Sequence, residues 1–314
     1  MSEISRIHLL HAAMVAALVI CWFVLPVYHA GNLARIMVFA IYAMGYNLLF
    51  GYTGLLSLGH ALFFGAGMYG LGLAMHLGGV SAGPGILAGL IAALVVSGIV
   101  GFLALRTTGV AFMIVTLMFA QAGYLAVLLF GTYTRGDEGF VLPQATRALL
   151  GVDLSDAQNR YFAALLLFSA VLFFIGWLVR TPFGRCLVAI RENEERARML
   201  GYDITRHKLM AVIMSGTISG LSGAAYCLLF GSAQAAFVAV PYSIFPLLYV
   251  LLGGMGTTLG PFVGTLFMFY LIDLSSGITT AYMLIAGVVL VVLTLFAPQG
   301  LAGEVRKRLW RGLP

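Results

Sequence analysis

The stretch TPFGRCLVAIRENEERARMLGYD, residues Thr181–Asp203, is the most charged part of an otherwise apolar chain. Between Arg180 and Lys208 there are 11 charged residues, although only 9% of the 314 residues are charged and 61% are hydrophobic. Soluble proteins are about 25% charged, so this composition predicts a polytopic membrane protein. The quoted stretch is then predicted to be its main polar loop, because a segment this charged does not enter lipid.

Ten apolar runs have roughly the length, about 20 residues, that crosses a bilayer core as a helix. Charges, glycines or prolines bound these runs at approximately residues 9–27, 33–51, 57–77, 85–105, 109–130, 161–179, 209–231, 240–254, 257–274 and 278–297. The first run is longer than the apolar part of a signal peptide and has no clear cleavage site, so it is predicted to stay as a helix. We therefore predict an all-α integral membrane fold with about ten transmembrane helices, forming one domain over residues 1–314.

Basic residues in the short connections predict the orientation of the chain. If the predicted spans alternate, one side carries the seven basic residues of 180–208 together with Arg6, Arg106, Arg306, Lys307, Arg308 and Arg311. Both termini and the loop 180–208 are then predicted to be cytoplasmic, and the loop 131–160 to be external. The net charge of +6 is mostly this topology signal and does not indicate nucleic-acid binding.

The loop 180–208 has the end signals of one helix over 183–200. Thr181 can cap it, Pro182 suits its first turn and Gly201 follows its end. An apolar side is centred on Ile190 and Ala197, while the charged residues on the other side include the pairs Glu192–Arg196 and Glu194–Arg198 at i,i+4 spacing. This pattern fits either a solvated helix on the membrane face or a docking helix whose apolar side enters a cleft on a partner.

Five strings form a more specific pattern along the chain. They are GYTGLLSLGHALFFGAGMYG from Gly51, TTGVAFMIVTLMFAQ from Thr107, TRGDEG from Thr134, RTPFGRCLVAIRENEERARMLGYDITRHK from Arg180 and LGGMGTTLGPFVG from Leu252. Over about residues 51–264 the chain resembles the membrane permease subunits of ABC importers for branched-chain amino acids. It departs from that family's usual pattern at Leu55, at Met68 and at Arg135-Gly136, where the family has Gln, Ala and Gly-Gly. If these positions touch the solute path or the external loop, the solute differs from a branched-chain amino acid.

The resemblance implies a transport subunit of the bacterial inner membrane rather than an enzyme. Its implied partners are a second permease, expected to be a different chain, two cytoplasmic ATPases that hold ATP and magnesium, and an external solute-binding protein. The helix of loop 180–208 would couple the pore to an ATPase, and the residues implied in that contact are Arg185, Ile190, Arg191, Glu192, Glu195, Ala197, Arg198 and Gly201.

The absence of an ATP site in this chain agrees with that division of labour. A phosphate-binding loop needs Gly-Lys followed by Ser or Thr. The only lysines are Lys208, which follows His207, and Lys307, which follows Arg306. No cofactor is therefore predicted in this chain, and no metal site, because Cys21, Cys186 and Cys227 lack metal-like spacing.

Small residues predict where helices approach closely or break. Ser215, Ser219 and Gly223 lie beside Gly216, Gly220 and Ala224, so that they form two small-residue ridges suited to tight packing or to sliding. The segment GYTGLLSLGH suggests a broken helix, and Gly254 lies in a glycine-rich cytoplasmic turn. The predicted translocation-path or packing residues are Gly51, Gly54, Ser57, Gly59, His60, Ser215, Gly220 and Gly254. His60 fits an interhelical hydrogen bond or a solute contact.

Acidic residues occur at two places on or near the predicted external side. Arg135, Asp137 and Glu138 are predicted to contact the binding protein. Asp273 is the only acid in the last two predicted spans, where it is either a functional buried charge or a residue of the external interface.

The sequence and the resemblance together predict one half of an ATP-driven pore that carries branched-chain or related hydrophobic amino acids inward. The alternatives left open are a permease for another small solute, such as urea, amides or aromatic acids, and an ion-coupled secondary transporter. The latter typically has more acids or histidines along its spans. A membrane-embedded enzyme would need a convergent set of acids or histidines, and only Arg135, Asp137 and Glu138 cluster.

Overall fold

The computed structural model describes residues 3–296 and 300–309, and most of these residues are helical. The α-helices in this part of the chain are α1 (Glu3–Val24), α2 (Val27–Asn47), α3 (His60–His76), α4 (Ala82–Ala104), α5 (Val110–Leu129), α6 (Gly131–Thr134), α7 (Ala157–Leu178), α8 (Pro182–Glu192), α9 (Glu194–Met199), α10 (Ile204–Phe230), α11 (Val240–Gly253), α12 (Gly260–Ser276), α13 (Tyr282–Phe296) and α14 (Gly300–Leu309). A π-helical turn, Leu48–Tyr52, continues α2, and short 3₁₀ turns lie at Gln144–Thr146 and Ala235–Val238.

Among the described residues, four two-residue strands form two pairs in the segments that connect helices. β1 (Phe140–Val141) pairs antiparallel with β4 (Ser232–Ala233), and β2 (Ala148–Leu149) pairs antiparallel with β3 (Val152–Asp153). The register of the first pair sets Phe140 opposite Ala233. The loop 131–160 is therefore fastened to the segment that follows α10.

Each of the ten predicted spans coincides with a helix of the described residues. Five helical stretches are long and apolar enough to cross a membrane, and they are Val27–Tyr52, Ala82–Ala104, Val110–Leu129, Ala157–Leu178 and Ile204–Phe230. Shorter apolar helices include Val240–Gly253, which has 14 residues with Pro246 inside it and is about 21 Å long. The number of crossings therefore stays a prediction. The first two residues, Arg311 and the carboxyl end lie outside the described residues, so the placement of both termini also stays a prediction.

Helix α2 runs through the middle of the fold. From Ile36 to Asn47 every residue of α2 except the partly buried Phe39 is buried, and Tyr42 and Tyr46 are among the largest fully buried side chains. It packs against α7, α10, α11 and α12. A helix that is apolar on every side is one that other helices surround.

Helices α3, α4 and α10 approach one another at glycine. A methyl group built on Gly67 would lie 1.9 Å from the carbonyl oxygen of Gly220, and one built on Gly220 would lie 2.1 Å from the Cβ of Ala93. No side chain fits at these two positions, because the backbone of Gly220 and the Cβ of Ala93 already occupy the space. The small-residue ridge of α10 therefore lies at a backbone-to-backbone contact, the arrangement typical of helices packed in a membrane.

The outer faces of α4 and α5 expose large apolar side chains. Those on α4 include Leu87, Ile91, Leu94, Val95 and Ile99, and those on α5 include Val110, Ile114, Met118, Leu125 and Leu129. An apolar surface this extensive is characteristic of contact with lipid or another protein.

Candidate functional site

The loop 180–208 contains two short helices, so the single helix predicted over 183–200 is wrong. Helix α8 ends at Glu192, and Asn193 is extended with φ −159° and ψ 104°. The Asn193 Oδ1 accepts a 2.9 Å hydrogen bond from the backbone N–H of Arg196, so it caps α9. Asn favours helix N-caps for this reason. The break also removes the i,i+4 geometry expected of Glu192 and Arg196.

The apolar side of this loop is already covered by the chain itself. Ile190 is 4% exposed and Ala197 is 1% exposed, and they form a small core with Cys186 and Ile204. Ile204 belongs to the first turn of α10. The expectation that Ile190 and Ala197 are free to enter a partner's cleft is therefore corrected, because folding α8 and α9 onto α10 buries both.

The exposed apolar side chains of the loop lie instead at its tip. Met199 is 84% exposed, Leu200 is 75% exposed and Tyr202 is 43% exposed. Gly201, with φ +87°, turns the chain between them in a conformation that favours glycine. The predicted coupling residues Arg185, Glu192, Glu195 and Arg198 are exposed on the same loop. The accessible surface of this loop therefore combines these charged residues with the apolar side chains of the tip.

Glu194, the first residue of α9, forms ion pairs with the last turn of α9 and with α10. Its carboxylate lies 3.3 Å from the guanidinium of Arg198 and 2.5 Å from the ammonium of Lys208. The Arg198 pair is the predicted i,i+4 pair. Exposed ion pairs contribute about 0–1 kcal/mol each, but the Lys208 side chain is only 12% exposed, so this pair is shielded.

Arg191 joins α8 to the glycine-rich segment after α2. Its guanidinium donates a hydrogen bond to the backbone carbonyl oxygen of Gly51. A methyl group on Gly54 would lie 3.0 Å from the Arg191 Cγ, and one on Gly256 would lie 3.0 Å from its Nη1. Gly54 and Gly256 have φ of +77° and +72°, so both the backbone conformation and the space favour glycine. Arg191 therefore contacts both glycine-rich segments that the sequence singles out.

Asn47, at the end of α2, completes this junction. It is 1% exposed, its Oδ1 accepts a 3.0 Å hydrogen bond from the backbone N–H of Gly256, and its Nδ2 donates to the Thr257 carbonyl oxygen at 2.8 Å. A methyl group on Gly51 would collide with the Asn47 side chain. The junction therefore fixes α2, the loop after α11 and helix α8 to one another.

The segment between α2 and α3 is the broken helix that its glycines predict. Beyond the π-helical turn the chain has no regular structure until His60, and Gly54 has a positive φ. The hydroxyl of Ser57 accepts from the backbone N–H of Gly59 at 3.2 Å. A methyl group on Gly59 would lie 2.9 Å from the carbonyl oxygen of Thr116 in α5. This segment therefore packs tightly against α5.

His60 makes an interhelical hydrogen bond. The Ser215 hydroxyl lies 2.8 Å from the His60 Nε2 and donates to the carbonyl oxygen of Gly45 at 2.6 Å. Because that hydroxyl donates its own proton to Gly45, the His60 Nε2 carries a proton and donates to Ser215. The ring is fully buried against Tyr46 and Phe63. His60 therefore links α3, α10 and α2, as the first of its two sequence interpretations expects.

The turn between α11 and α12 is tight because of its glycines. A methyl group on Gly253 would lie 1.8 Å from the carbonyl oxygen of Gly260, and Gly254 has φ +114°. The Thr257 hydroxyl accepts from the backbone N–H of Gly260 at 3.1 Å. Gly254 thus belongs to a compact corner that lies beside the Arg191 junction.

The residues predicted to meet a binding protein lie together in the loop 131–160. Arg135, Asp137 and Glu138 are exposed between α6 and β1. Arg135 has φ +59° and Gly136 has φ +56°, so the chain keeps a left-handed turn where the resembled family has Gly-Gly. Of the other two departures, Met68 is fully buried in the core and Leu55 is partly buried.

Asn47 and the Met199–Tyr202 tip are features that the sequence interpretation missed. Asn47 is one polar residue in a long apolar run, and a lone buried amide in such a run is the kind of signal that marks an interhelical hydrogen bond. The tip was overlooked because a continuous helix places Leu200 on the same side as Ile190. Only the break at Asn193 separates the two.

A sequence profile of the branched-chain amino acid transport system permease component matches residues 29–297. This match covers most of the chain, including the loop 131–160, the loop 180–208 and the glycine-rich segments around Gly51 and Gly256.

Individual relatives agree with the profile. The chain is 30% identical to the high-affinity branched-chain amino acid transport system permease protein LivM of Salmonella typhimurium and to that of Escherichia coli, over 87% of this chain and 69% of each relative. It is 32% identical to the ribose import permease protein RbsC of Bacillus subtilis over 39% of this chain and 41% of that protein. No solved structure matches the chain significantly.

Proposed function

The chain belongs to the family of branched-chain amino acid transport permease components of ABC transporters, and on this premise we propose that it forms one half of an ATP-driven import pore. The proposed solute is a branched-chain or related hydrophobic amino acid, moved inward across the bacterial inner membrane. Members of this family are transport subunits rather than enzymes. ATP and magnesium are accordingly assigned to partner ATPases.

The proposed assembly contains four kinds of component. A second permease subunit, a different chain, completes the pore, and two cytoplasmic ATPases and an external solute-binding protein act on it. Within this chain, ten helices cross the membrane, both termini and the loop 180–208 are cytoplasmic, and the loop 131–160 is external. The basic residues of the predicted cytoplasmic loops and the ten apolar runs of the sequence support this topology.

One observation carries the proposal. The charged loop is hydrogen-bonded to the segment that ends α2, and it exposes apolar side chains at its tip. Arg191 bonds to Gly51, and Met199 and Leu200 are exposed at the tip. A solvated loop has no need of exposed apolar residues at its outermost point. This arrangement suits a loop whose tip binds a cytoplasmic ATPase and whose other contacts transmit the movement of that ATPase to the membrane helices.

The proposed mechanism is mechanical, and no bond of the solute is broken. Closure of the ATPases would move the tip, and the small core around Ile190 would transmit that movement to α10 because Ile204 belongs to it. Arg191 would transmit the same movement to Gly51 and Gly256. Gly51 lies in the π-helical turn that ends α2 and Gly256 in the turn between α11 and α12, and such positions absorb changes of φ and ψ most readily. The ATPase state would thereby bias the pore between two shapes.

Two alternatives remain, and each has its own discriminating feature. A permease of the same kind for urea, amides or aromatic acids would share this loop and differ in its solute contacts. An ion-coupled secondary transporter would need titratable groups along the spans. Of the 11 acidic residues, only Asp273 falls inside a predicted span, and it accepts hydrogen bonds from Tyr28 at 3.0 Å near the helix end. The sequence therefore favours ATP as the source of energy.

The test is uptake by the complete complex reconstituted in vesicles. With ATP inside the lumen that represents the cytoplasm, and loaded binding protein on the other side, labelled leucine should accumulate. A matched complex whose ATPases carry a substitution of the catalytic glutamate should not accumulate it. Accumulation driven by a proton gradient without ATP would contradict the proposal, and competition by urea but not by isoleucine would favour the first alternative.

A further inference from the structure

A cavity of about 240 Å³ opens at the end of the bundle where α2 and α7 begin and α10 ends. Its lining includes Tyr28, Gly31, Asn32, Arg35, Arg160 and Phe230. Pockets for drug-sized ligands are roughly 300–1,000 Å³, so this cavity admits only a small molecule. In the predicted topology it lies at the external end, where a solute would first meet the pore.

Two guanidinium groups of this cavity face the same aromatic ring. The Arg35 Cζ lies 5.4 Å from the centre of the Phe230 ring, and the Arg160 Cζ lies 5.7 Å from it. A third cation, Arg147, is buried nearby and donates to the Leu229 carbonyl oxygen at 3.4 Å. Arg35 and Arg160 thus bring two positive charges to one ring. An anion between them would relieve their mutual repulsion.

The acids nearest the cavity make hydrogen bonds to other groups. The Asp156 carboxylate accepts from the backbone N–H groups of Gln158 and Asn159 and so caps α7. Asp273 accepts from the Tyr28 hydroxyl. Among the described residues, no ion pair within 4.0 Å includes Arg35 or Arg160.

Hydrogen-bond donors also remain unused at this place. Asn32 is 6% exposed, and its Nδ2 lacks a partner among the described residues, as does the buried Nε of Arg160. Buried donors are nearly always paired in folded proteins. Two unpaired donors beside a cationic cavity indicate that an acceptor binds there.

We propose that Arg35, Arg160 and Asn32 form a binding site for the carboxylate of a small solute. The planar forks of two arginines match the two oxygens of a carboxylate, and the Asn32 amide supplies a further donor. The inference rests on the proposed function and narrows it, because urea and simple amides have no carboxylate. Amino acids and aromatic acids remain as solutes of this site.

The Tyr28–Asp273 pair extends the argument to amino acids. Tyr28 lines the cavity, and its hydroxyl bonds to both carboxylate oxygens of Asp273 at 3.0 Å. A carboxylate held at the rim of a cationic cavity is complementary to the ammonium group of a zwitterion. A zwitterionic amino acid therefore suits the site better than a simple carboxylate does.

The test measures ligand binding to the detergent-purified complex of both permeases and both ATPases, without the solute-binding protein and without ATP, so that neither transport nor the binding protein contributes. Leucine, isovalerate and leucinamide are the three probes. Leucine should bind most tightly, isovalerate more weakly and leucinamide weakest. Arg35→Gln and Arg160→Gln should each weaken leucine binding by about tenfold to a hundredfold, the effect expected for hydrogen bonds to a charged group. The leucine affinity of Arg160→Lys should lie between those of the wild type and Arg160→Gln, because lysine keeps the positive charge and lacks the planar pair of N–H donors.

A matched control exists at the opposite end of the bundle. The Arg106 Cζ lies 5.1 Å from the centre of the Phe102 ring, so it makes a similar arginine–aromatic contact, but it does not line the cavity. Arg106→Gln should leave leucine binding unchanged. Since Arg35 is exposed, Arg35→Gln tests the site even if Arg160→Gln fails to fold. Equal affinity for leucine and leucinamide, or wild-type affinity in Arg35→Gln, would overturn the proposal.

A lipid headgroup is the other anion that reaches such a cavity. Binding is therefore repeated in vesicles of phosphatidylcholine alone and in vesicles that include phosphatidylglycerol. If Arg35→Gln removes bound phosphatidylglycerol and leaves leucine binding intact, the site belongs to lipid and the proposal is wrong. Uptake that is insensitive to both arginine substitutions would refute the carboxylate site but not the import function. Leucine binding that depends on the two arginines, without ATP-driven uptake, would refute the import function but not the site.

Discussion

The guanidinium of Arg191 donates a hydrogen bond to the backbone carbonyl oxygen of Gly51, which is 140 residues away in the chain. One partner belongs to the charged loop and the other to the π-helical turn that ends α2. Gly51 is also in contact with the side chain of Asn47, which holds the loop after α11 through Gly256. Arg191 therefore joins α8 to a junction that two of the predicted membrane segments share.

The first prediction concerns this contact. Arg191→Ala should reduce ATP-driven uptake by about tenfold to a hundredfold while the ATPases stay bound and hydrolyse ATP. A hydrogen bond from a charged donor is worth about 1.5–3 kcal/mol, and its loss uncouples α8 from Gly51. Leucine uptake and ATP hydrolysis, measured in the same vesicles, give the ratio of solute carried to ATP consumed.

Arg206→Ala is the control for that substitution. Arg206 is a highly exposed arginine of the same loop, and its salt bridge to Asp203 at 3.0 Å is at the surface. Its removal should leave the ratio unchanged, because exposed ion pairs contribute little. An unchanged ratio of solute carried to ATP consumed in Arg191→Ala would show that the Gly51 contact does not couple ATP hydrolysis to transport.

The second prediction concerns the small core of the loop. Ile190→Ala should loosen the packing of α8 and α9, because a buried Ile→Ala substitution costs about 2–5 kcal/mol. Cys186, in the same core, reports this change: burial raises the pKa of its thiol, so it reacts slowly with iodoacetamide in the folded loop. Alkylation of Cys186, measured by peptide mapping, should become several times faster in the variant.

The control for this experiment is Met210→Ala, since Met210 is 51% exposed on α10. Its alkylation rate should match that of the unmodified protein. An unchanged rate in Ile190→Ala would mean that the core around Ile190 does not hold the loop together.

The third prediction separates docking from folding. Leu200→Asp should detach the ATPases, because burying a leucine contributes about 1.5–3 kcal/mol and a buried charge opposes it. The loop itself should stay folded, since exposed positions tolerate substitution within about 0.5 kcal/mol. Co-purification of the ATPases measures the first effect and alkylation of Cys186 the second. Leu150→Asp, at a leucine 97% exposed in the loop 131–160, should retain the ATPases.

Much of the helical organisation follows from the sequence, because apolar runs bounded by charge and glycine have few alternatives. The ten predicted runs therefore coincide with helices. The interior of the loop was harder to predict, because Asn193 suits a helix wheel and an N-cap equally well until the neighbouring contacts are known. The convergence of Arg35 and Arg160 is a tertiary contact between residues 125 positions apart in the numbering, and no local pattern encodes it.

The fourth prediction concerns topology. A cysteine in place of Glu195 should react with a membrane-impermeant maleimide only from the cytoplasmic side, and one in place of Asp153 only from outside. Both residues are exposed, so lack of reaction reports the wrong side rather than burial. A permeant maleimide should label both and serves as the control. Labelling of both from one side would contradict the predicted ten-span topology.

The last prediction concerns the predicted external loop. Asp137 and Glu138 are exposed beside the left-handed turn at Arg135, and such a group of charges suits a weak, salt-sensitive contact with a binding protein. Replacing them with Asn and Gln should reduce the stimulation of ATP hydrolysis by loaded binding protein several-fold. Basal hydrolysis should be unchanged, because neither residue lies near the loop 180–208 in the predicted topology. The difference should shrink at high ionic strength, since salt screens exposed charges beyond about 3 Å at 1 M. A loss of basal hydrolysis would instead indicate that these acids support the fold, and a difference that persists in high salt would argue against an electrostatic contact.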